Sequence, residues 1–266
     1  MRKNLIYVLL MLMFTAATYS ETPRVIENFD VKFYHPEKFG LKDLVFEARI
    51  DGLLKRLNEK KSYGALSDLY FKIYWIYPGQ YKIVVNGLPN GFFQLKTGLR
   101  ELIKNRLDFV IPKVLTTRMR GYKLTESKNK KETIVVAKGS GFGGPSSEMK
   151  MTFANNGKLV KFEESGKGLA NSSEIDMGVK SWSHNKWVIN KMQVKQIEGV
   201  LEQDVIYKFE YVTEKGVGFP KRIEIETTTR NRIGDKKQKI KEKGGISFTN
   251  FEVNTKKAEK YILKNL

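Results

Sequence analysis

The chain has 266 residues, contains no cysteine and carries a formal net charge of +19 at pH 7. Its length is sufficient to bury a core of its own, and the absence of cysteine excludes a disulfide framework, thiol catalysis and cysteine-ligated metals. Aromatic residues make up 12% of the sequence, a proportion that favours strands over helices.

The N-terminal residues have the three-part pattern of a secretory signal peptide. Arg2 and Lys3 precede an apolar run from Leu5 to Phe14, and mostly small residues follow. An apolar run of about ten residues is short for a bilayer, which needs about twenty, and an uncleaved membrane anchor is the alternative interpretation. We therefore expect residues 1–20 to be removed on export and residues 21–266 to form a single β-rich domain in the periplasm of a Gram-negative bacterium.

The positive charge is concentrated in lysine-rich runs at residues 127–132, 234–245 and 256–260. Runs of this kind favour a polyanionic partner. Because export argues against nucleic acid, we expect an anionic membrane surface or lipopolysaccharide instead. The alternative is that these runs are solvated hairpin tips and a solvated helix face.

The segment before the first clear strand shows little hydrophobic periodicity. Residues 21–28 are expected to be a loose lead-in, and "FDVKFYH" at 29–35 to be a short strand or extended segment. Residues 41–54 alternate with period two, which predicts a half-buried strand. A helix over residues 53–61 is one of two open interpretations for that stretch.

An aromatic hairpin and a helix follow. Apolar and polar residues alternate on both sides of Pro78-Gly79, a pair that favours a turn. From Gly91 to Val110 the apolar residues recur at three- and four-residue spacing, which predicts one amphipathic helix.

From Val114 onward the pattern predicts strands separated by turns, including a hairpin at Asn156-Gly157 and a last strand at residues 244–254. Residues 256–266 are expected to form a short terminal helix. We therefore predict a β-rich α+β fold: one strongly curved, unclosed, barrel-like antiparallel sheet of about eight to ten strands, with the long helix on its concave face.

The sequence contains one G-x-G-x-x-G pattern, formed by Gly139, Gly141 and Gly144. A dinucleotide-binding loop requires a helix directly after these glycines, whose N-terminus receives the pyrophosphate. Here the following residues, "EMKMTF", alternate like a strand. We therefore predict a strand–strand connection and no nucleotide site.

Catalytic and metal-binding patterns are sparse. The two histidines, His35 and His184, are too few for a zinc site, and no G-x-S-x-G, paired-carboxylate or calcium-loop pattern occurs. We predict no catalytic residue, no metal and no cofactor. An exported hydrolase with a site around His184 is kept as the third functional hypothesis.

The aromatic residues are more informative. A curved sheet with one covering helix could enclose an apolar cavity that holds an acyl chain. The alternative is that these side chains form an ordinary sheet core. The predicted cavity residues are Phe71, Ile73, Trp75, Phe92, Phe93, Leu99, Trp182 and Trp187.

The N-terminal pattern, the aromatic hairpin and two later segments resemble the superfamily of periplasmic lipoprotein carriers with the LolA/LolB-like fold. In "IYKFEYVTEKGVGFPKRIEIETTT" (206–229), a strand, a G-x-G-F-P turn and a second strand resemble the late hairpin of these proteins. "ISFTNFEVN" (246–254) resembles their last strand. The resemblance implies a non-enzymatic carrier with lipid chains in the hollow of the sheet. Family carriers usually begin with a helix, which residues 21–44 do not clearly indicate.

The first functional hypothesis is therefore an exported, monomeric, non-enzymatic binding protein whose apolar cavity carries a lipid or a lipoprotein acyl chain. The second is an envelope protein-interaction or assembly module with a filled core and a basic surface.

Overall fold

The computed structural model describes residues 22–59, 66–139, 148–166, 169–233 and 236–264. Within these ranges the chain forms one antiparallel sheet of twelve strands. In chain order the strands are β1 (Asp43–Ile50), β2 (Tyr70–Ile76), β3 (Gln80–Asn86), β4 (Tyr122–Lys128), β5 (Glu132–Gly139), β6 (Glu148–Ala154), β7 (Leu159–Gly166), β8 (Leu169–Val179), β9 (Trp187–Glu198), β10 (Leu201–Glu214), β11 (Val217–Ile233) and β12 (Lys236–Val253).

The strands lie in the order β3-β2-β1-β12-β11-β10-β9-β8-β7-β6-β5-β4, so that β3 and β4 form the two edges of an open sheet. The predicted β-rich α+β fold with an unclosed antiparallel sheet is confirmed. The expected strand number was too low. One reason is β8, whose first half, "LANSSE", is mostly small or polar and lacks the alternation of a half-buried strand.

Six α-helices and one 3-10 helix accompany the described sheet. They are α1 (Arg24–Lys32), the 3-10 helix (Pro36–Phe39), α2 (Leu53–Glu59), α3 (Phe93–Lys104), α4 (Leu107–Val110), α5 (Leu115–Arg118) and α6 (Lys257–Leu263). The helical interpretation of residues 53–61 and the predicted terminal helix match α2 and α6.

Two expectations for the helices are wrong. The loose lead-in and the extended "FDVKFYH" segment are mostly α1, in which Ile26 and Phe29 are buried and the Phe29 ring stacks on Phe33 at 5.1 Å. The predicted single helix from Gly91 to Val110 is divided into α3 and α4, because the backbone turns at Asn105 and Arg106.

The first core cluster lies between strands β1–β3 and β10–β12 and helices α2–α4. Its largest fully buried side chains include Phe46, Phe71, Phe219 and Phe248. The helices contribute Leu57, Leu99, Ile103 and Leu107. Burying an aromatic ring of this size stabilises the fold by about 1.5–3 kcal/mol.

The second core cluster lies between α1, α5 and strands β5–β9. Phe29 of α1 and Leu115 of α5 pack with Met151 and Phe153 of β6. Ile189 of β9 packs against both clusters, so one face of the sheet carries a continuous apolar layer.

Helix α6 lies on the opposite face of the sheet, against β1 and β2. Tyr261 of α6 stacks on Tyr74 at 3.9 Å, and Tyr74 alternates along β2 with the inward-facing Ile73 and Trp75. Among the described residues, no helix has the length and apolar character needed to cross a membrane.

Candidate functional site

A groove of about 810 Å³ opens beside the first core cluster. Three parts of the chain form its walls: the β2–β3 turn, the 3-10 helix and the segment that runs from the end of α3 to α5. Its described lining residues are Glu37, Lys38, Trp75, Tyr77, Pro78, Gly79, Tyr81, Lys104, Asn105, Leu107, Asp108, Ile111, Pro112, Lys113, Val114 and Thr117. This volume lies in the range of small-molecule sites in proteins.

Aromatic and aliphatic side chains form the apolar part of the groove. Trp75 is 5% exposed and faces inward because alternate residues of β2 point to the same face of the sheet. Leu107 is also buried, whereas Tyr77 and Tyr81 are 59% and 41% exposed. The buried residues therefore form a floor, and the two tyrosines form an apolar mouth with polar hydroxyl tips.

Local sequence explains the shape of the two walls. The chain reverses at Tyr77-Pro78-Gly79, where Gly79 adopts a φ of +149°. On the other side, α4 ends at Val110 because Ile111 precedes Pro112, and the residue before a proline disfavours the helical conformation.

Three lysines on the groove wall already have partners. Lys38 Nζ donates to the carbonyl oxygen of Asp30 at 2.8 Å. Lys104 pairs with Glu101 at 3.0 Å, and Lys113 with Asp108 at 3.3 Å. The Glu101 carboxylate raises the pKa of Lys104 above its usual value.

Glu37 is placed differently from the other charged residues of the groove. Its Oε2 atom is buried and has no hydrogen-bond partner among the described residues. Burial raises the pKa of the Glu37 carboxyl above its usual value. The nearest ring nitrogen is His35 Nδ1, which lies 3.7 Å from Glu37 Oε1.

A buried polar cluster fixes the groove wall behind Glu37. The Asp30 carboxylate accepts the backbone N–H groups of Leu115 at 2.7 Å and Thr116 at 2.8 Å, and so joins α1 to α5. His35 Nδ1 lies 3.2 Å from the Pro112 carbonyl oxygen, with hydrogen-bond geometry. Burial lowers the pKa of His35, which favours the neutral ring, with Nδ1–H donating to Pro112.

A second, much smaller cavity lies between the two core clusters. Its volume is about 40 Å³, and its lining includes Tyr34, Phe109, Phe209 and Tyr211. Asp108 and Pro112 line both this cavity and the groove. The interior between the clusters is thus nearly filled, and the larger space lies at the surface.

The predicted cavity residues do not gather at one place. Phe71, Ile73 and Leu99 belong to the first core cluster, and Trp187 belongs to the second. Phe92 is half-buried, Phe93 is 75% exposed, and Trp182 packs edge-on to Tyr34 at 5.1 Å. Of the predicted cavity residues, Trp75 is the one found among the described lining residues of the groove.

The sequence prediction missed Tyr77, Tyr81 and the whole α4–α5 wall. Both tyrosines belong to the aromatic hairpin, and their position next to Pro78-Gly79 indicates a turn whose rings are solvent-exposed. No local pattern indicates the opposite wall, because Leu107 and Ile111 were assigned to a helix and its end, and Val114 to the start of the predicted strands.

The remaining candidate sites from the sequence are the glycine pattern and the segment around His184. Gly139 ends β5, and the described chain continues with strand β6 at Glu148; Gly141 and Gly144 lie outside the described residues. His184 is exposed and stacks on Phe39 at 4.6 Å. The neighbouring Ser183 Oγ lies 2.9 Å from the carbonyl oxygen of Lys180 and 2.7 Å from that of Lys186, and so closes a turn.

Over the described ranges, no group of three or more histidine, aspartate or glutamate side chains is arranged to hold a metal ion. The sequence itself contains no cysteine that could join such a group.

No family model matches the chain, and no curated protein matches it. Among solved structures, the chain is similar to a LolA superfamily protein from Nitrosomonas europaea, at 8% identity and a TM-score of 0.30. The match covers 91% of this chain and 98% of the other. It agrees with the resemblance seen in the sequence and, at this TM-score, carries no argument about function.

Proposed function

We propose that this protein is an exported, monomeric, non-enzymatic binding protein that holds an acyl chain of a lipid or lipoprotein in the 810 Å³ groove. The observation that carries the proposal is the combination of a buried apolar floor with an exposed aromatic mouth and lysines at the wall. Export rests on the signal-peptide pattern of residues 1–20, which lie outside the described part of the chain.

The composition of the groove suits an amphiphile. Trp75, Leu107 and Ile111 offer apolar contact to a hydrocarbon chain, and burying such a chain removes apolar surface from water. Lys38, Lys104 and Lys113 add positive charge beside that apolar surface, where an anionic head group would lie. The same charge favours approach to an anionic membrane or lipopolysaccharide surface.

A fluorescent fatty-acid probe tests the proposal. The purified mature protein is titrated with the probe and compared with Tyr77→Ser and Tyr81→Ser, which each remove an exposed ring from the groove mouth. We expect saturable binding by the wild type and an affinity loss of about tenfold in each variant, the equivalent of about 1.4 kcal/mol.

Phe93→Ser is the matched control. Phe93 is more exposed than either tyrosine and is not among the described lining residues of the groove. Its replacement removes a comparable ring and should leave probe affinity unchanged. Equal losses in all three variants would indicate non-specific surface binding, and no saturable binding by the wild type would overturn the proposal.

The packed interior favours a second candidate function, an envelope interaction or assembly module. The cavity between the two core clusters is only about 40 Å³, and strand β4 at the sheet edge is largely exposed. An edge strand of this kind can pair with a strand of another protein. A chain that binds no amphiphile but forms a stable complex with an envelope protein through β4 would favour this candidate.

A further inference from the structure

We infer that the groove selects lipids whose head group carries both a phosphate and a primary ammonium group, with the Glu37 carboxylate receiving the ammonium. This inference rests on the proposed lipid-binding function and adds the head-group class. It depends on the arrangement of charges around the groove rather than on its apolar floor.

Glu37 is the groove carboxylate that has one oxygen atom, Oε2, without a hydrogen-bond partner among the described residues. Asp108, the other carboxylate among the described lining residues, pairs with Lys113 at 3.3 Å. The Glu37 side chain is only 16% exposed, and its Oε2 atom is buried with no hydrogen-bond partner among the described residues. A buried carboxylate oxygen without a partner is costly, and a donor supplied by a ligand would offset that cost.

The carboxyl group can reach such a donor without a change of backbone. Glu37 lines the groove, and rotation about the terminal torsion of a glutamate side chain is soft. An ammonium group brings three N–H donors and a positive charge, so its hydrogen bond to the carboxylate is charge-assisted. The burial that raises the pKa of Glu37 also strengthens its attraction to a cation.

The lysines favour a ligand that also carries an anionic group. The described lining contains Lys38, Lys104 and Lys113, and a simple alkylamine would contact Glu37 but offer no acceptor to these lysines. Each lysine ammonium has three donors and therefore keeps donors beyond its present partner. A phosphate accepts these donors while the ammonium of the same head group reaches Glu37.

This pairing predicts a clear order among head groups. A choline head has the same charges as ethanolamine but no N–H donor. A glycerol head offers hydroxyl donors but no positive charge, so it lacks the Coulomb attraction that an ammonium group has to the Glu37 carboxylate. A bare phosphate head brings no donor for Glu37 Oε2. We therefore expect phosphatidylethanolamine to bind about tenfold more tightly than phosphatidylcholine, phosphatidylglycerol or phosphatidic acid.

The test uses short-chain lipids with identical acyl chains and these four head groups, each titrated into the purified mature protein against the fatty-acid probe. Hexadecylamine is added as the ammonium without phosphate and should bind more weakly than phosphatidylethanolamine. In Glu37→Gln the preference for ethanolamine over choline should disappear.

Glu27→Gln provides the control for the change in net charge. Glu27 is exposed on α1 and is not among the described lining residues, so its replacement should preserve the ethanolamine preference. If Glu37→Gln does not fold, Glu37→Asp takes its place, because the shorter side chain withdraws the carboxylate from the ammonium and should weaken the ethanolamine preference.

The outcomes separate this inference from the function on which it rests. Equal affinity for all four phospholipids would overturn the head-group inference and leave the acyl-chain proposal standing. A preference that persists in Glu37→Gln would also overturn it, because another group would then receive the ammonium. Failure of every lipid and of the fatty-acid probe to bind would overturn the proposed function itself.

Discussion

The indole of Trp182 lies directly against the backbone of Gly218. A methyl group built on Gly218 would lie 2.0 Å from Cζ3 of Trp182, and the Gly218 N–H donates to the Tyr34 hydroxyl at 2.8 Å. Tyr34 in turn meets Trp182 edge-on at 5.1 Å. The second glycine of the G-x-G-F-P turn therefore allows the segment after α1 and the turn around Trp182 to pack closely on β11.

Gly218→Ala should destabilise the protein by about 1–3 kcal/mol, because the added methyl group forces Trp182 out of its position. The free energy of unfolding is measured by urea denaturation, and Trp182 fluorescence should change in the folded state. Gly98→Ala is the control, since a methyl group there meets no atom within 4 Å and helix α3 favours alanine. We expect it to stabilise by about 0.4–1 kcal/mol. Equal stability of the two variants would contradict the packing.

Asp30→Ala should weaken the connection between α1 and α5. The substitution leaves the N–H groups of Leu115 and Thr116 without their acceptor, at a cost of about 1–3 kcal/mol for each group that stays unpaired. Asp30→Asn keeps one acceptor oxygen and should lose less stability. Hydrogen exchange of the Leu115 and Thr116 amides provides the local readout, and unchanged protection in Asp30→Ala would show that another group satisfies them.

Phe71 and Phe93 were predicted to share one cavity, but the structure gives them different environments. Phe71 is fully buried in the first core cluster, so Phe71→Ala should cost about 3–5 kcal/mol in thermal or urea unfolding. Phe93 is 75% exposed, so Phe93→Ala should stay within about 0.5 kcal/mol. Similar losses in both variants would contradict the placement of these rings.

His35 should make stability depend on pH. Burial and the nearby Lys38 lower the pKa of His35, while the Pro112 carbonyl and Asp30 act in the opposite direction. The folded state therefore resists protonation of the ring. Below the usual value near 6.5 the unfolded chain takes up the proton first, so the free energy of unfolding should fall as the pH falls.

The measurement compares Glu37→Gln with Glu37→Gln/His35→Gln between pH 7.5 and pH 5.5. Removing Glu37 is necessary because its pKa is raised by burial, and its contribution to stability therefore grows as the pH falls. The single variant should lose stability on acidification, and the double variant should lose less. Parallel pH profiles would show that His35 does not titrate differently in the folded and unfolded states.

Sequence patterns predicted the elements whose environment is uniform along their length. Strand β2 alternates strictly between buried and half-buried residues, and its period was clear. Helix α1 was missed because its buried side consists of Ile26, Phe29 and the charged Asp30, and Pro36 and aromatic residues nearby suggested an extended chain. The resemblance implied an early helix that the residues themselves did not indicate.

The groove could not be predicted from local pattern. Glu37, Tyr77 and Pro112 lie far apart in the sequence, and they meet because the chain turns between α3 and α4. The sequence predicted one uninterrupted helix there, which would have left no second wall. The burial of Glu37 Oε2 without a hydrogen-bond partner results from three-dimensional packing, and a single carboxylate in a 3-10 helix has no sequence signature.

The central claim is that the protein carries a lipid, and native mass spectrometry tests it most directly. The mature protein is purified from its own host in a volatile buffer and measured before and after extraction with organic solvent. We predict an additional mass of lipid size that disappears on extraction, with phosphatidylethanolamine in the extract. An unliganded mass in both samples, together with no binding of added lipid, would contradict the account.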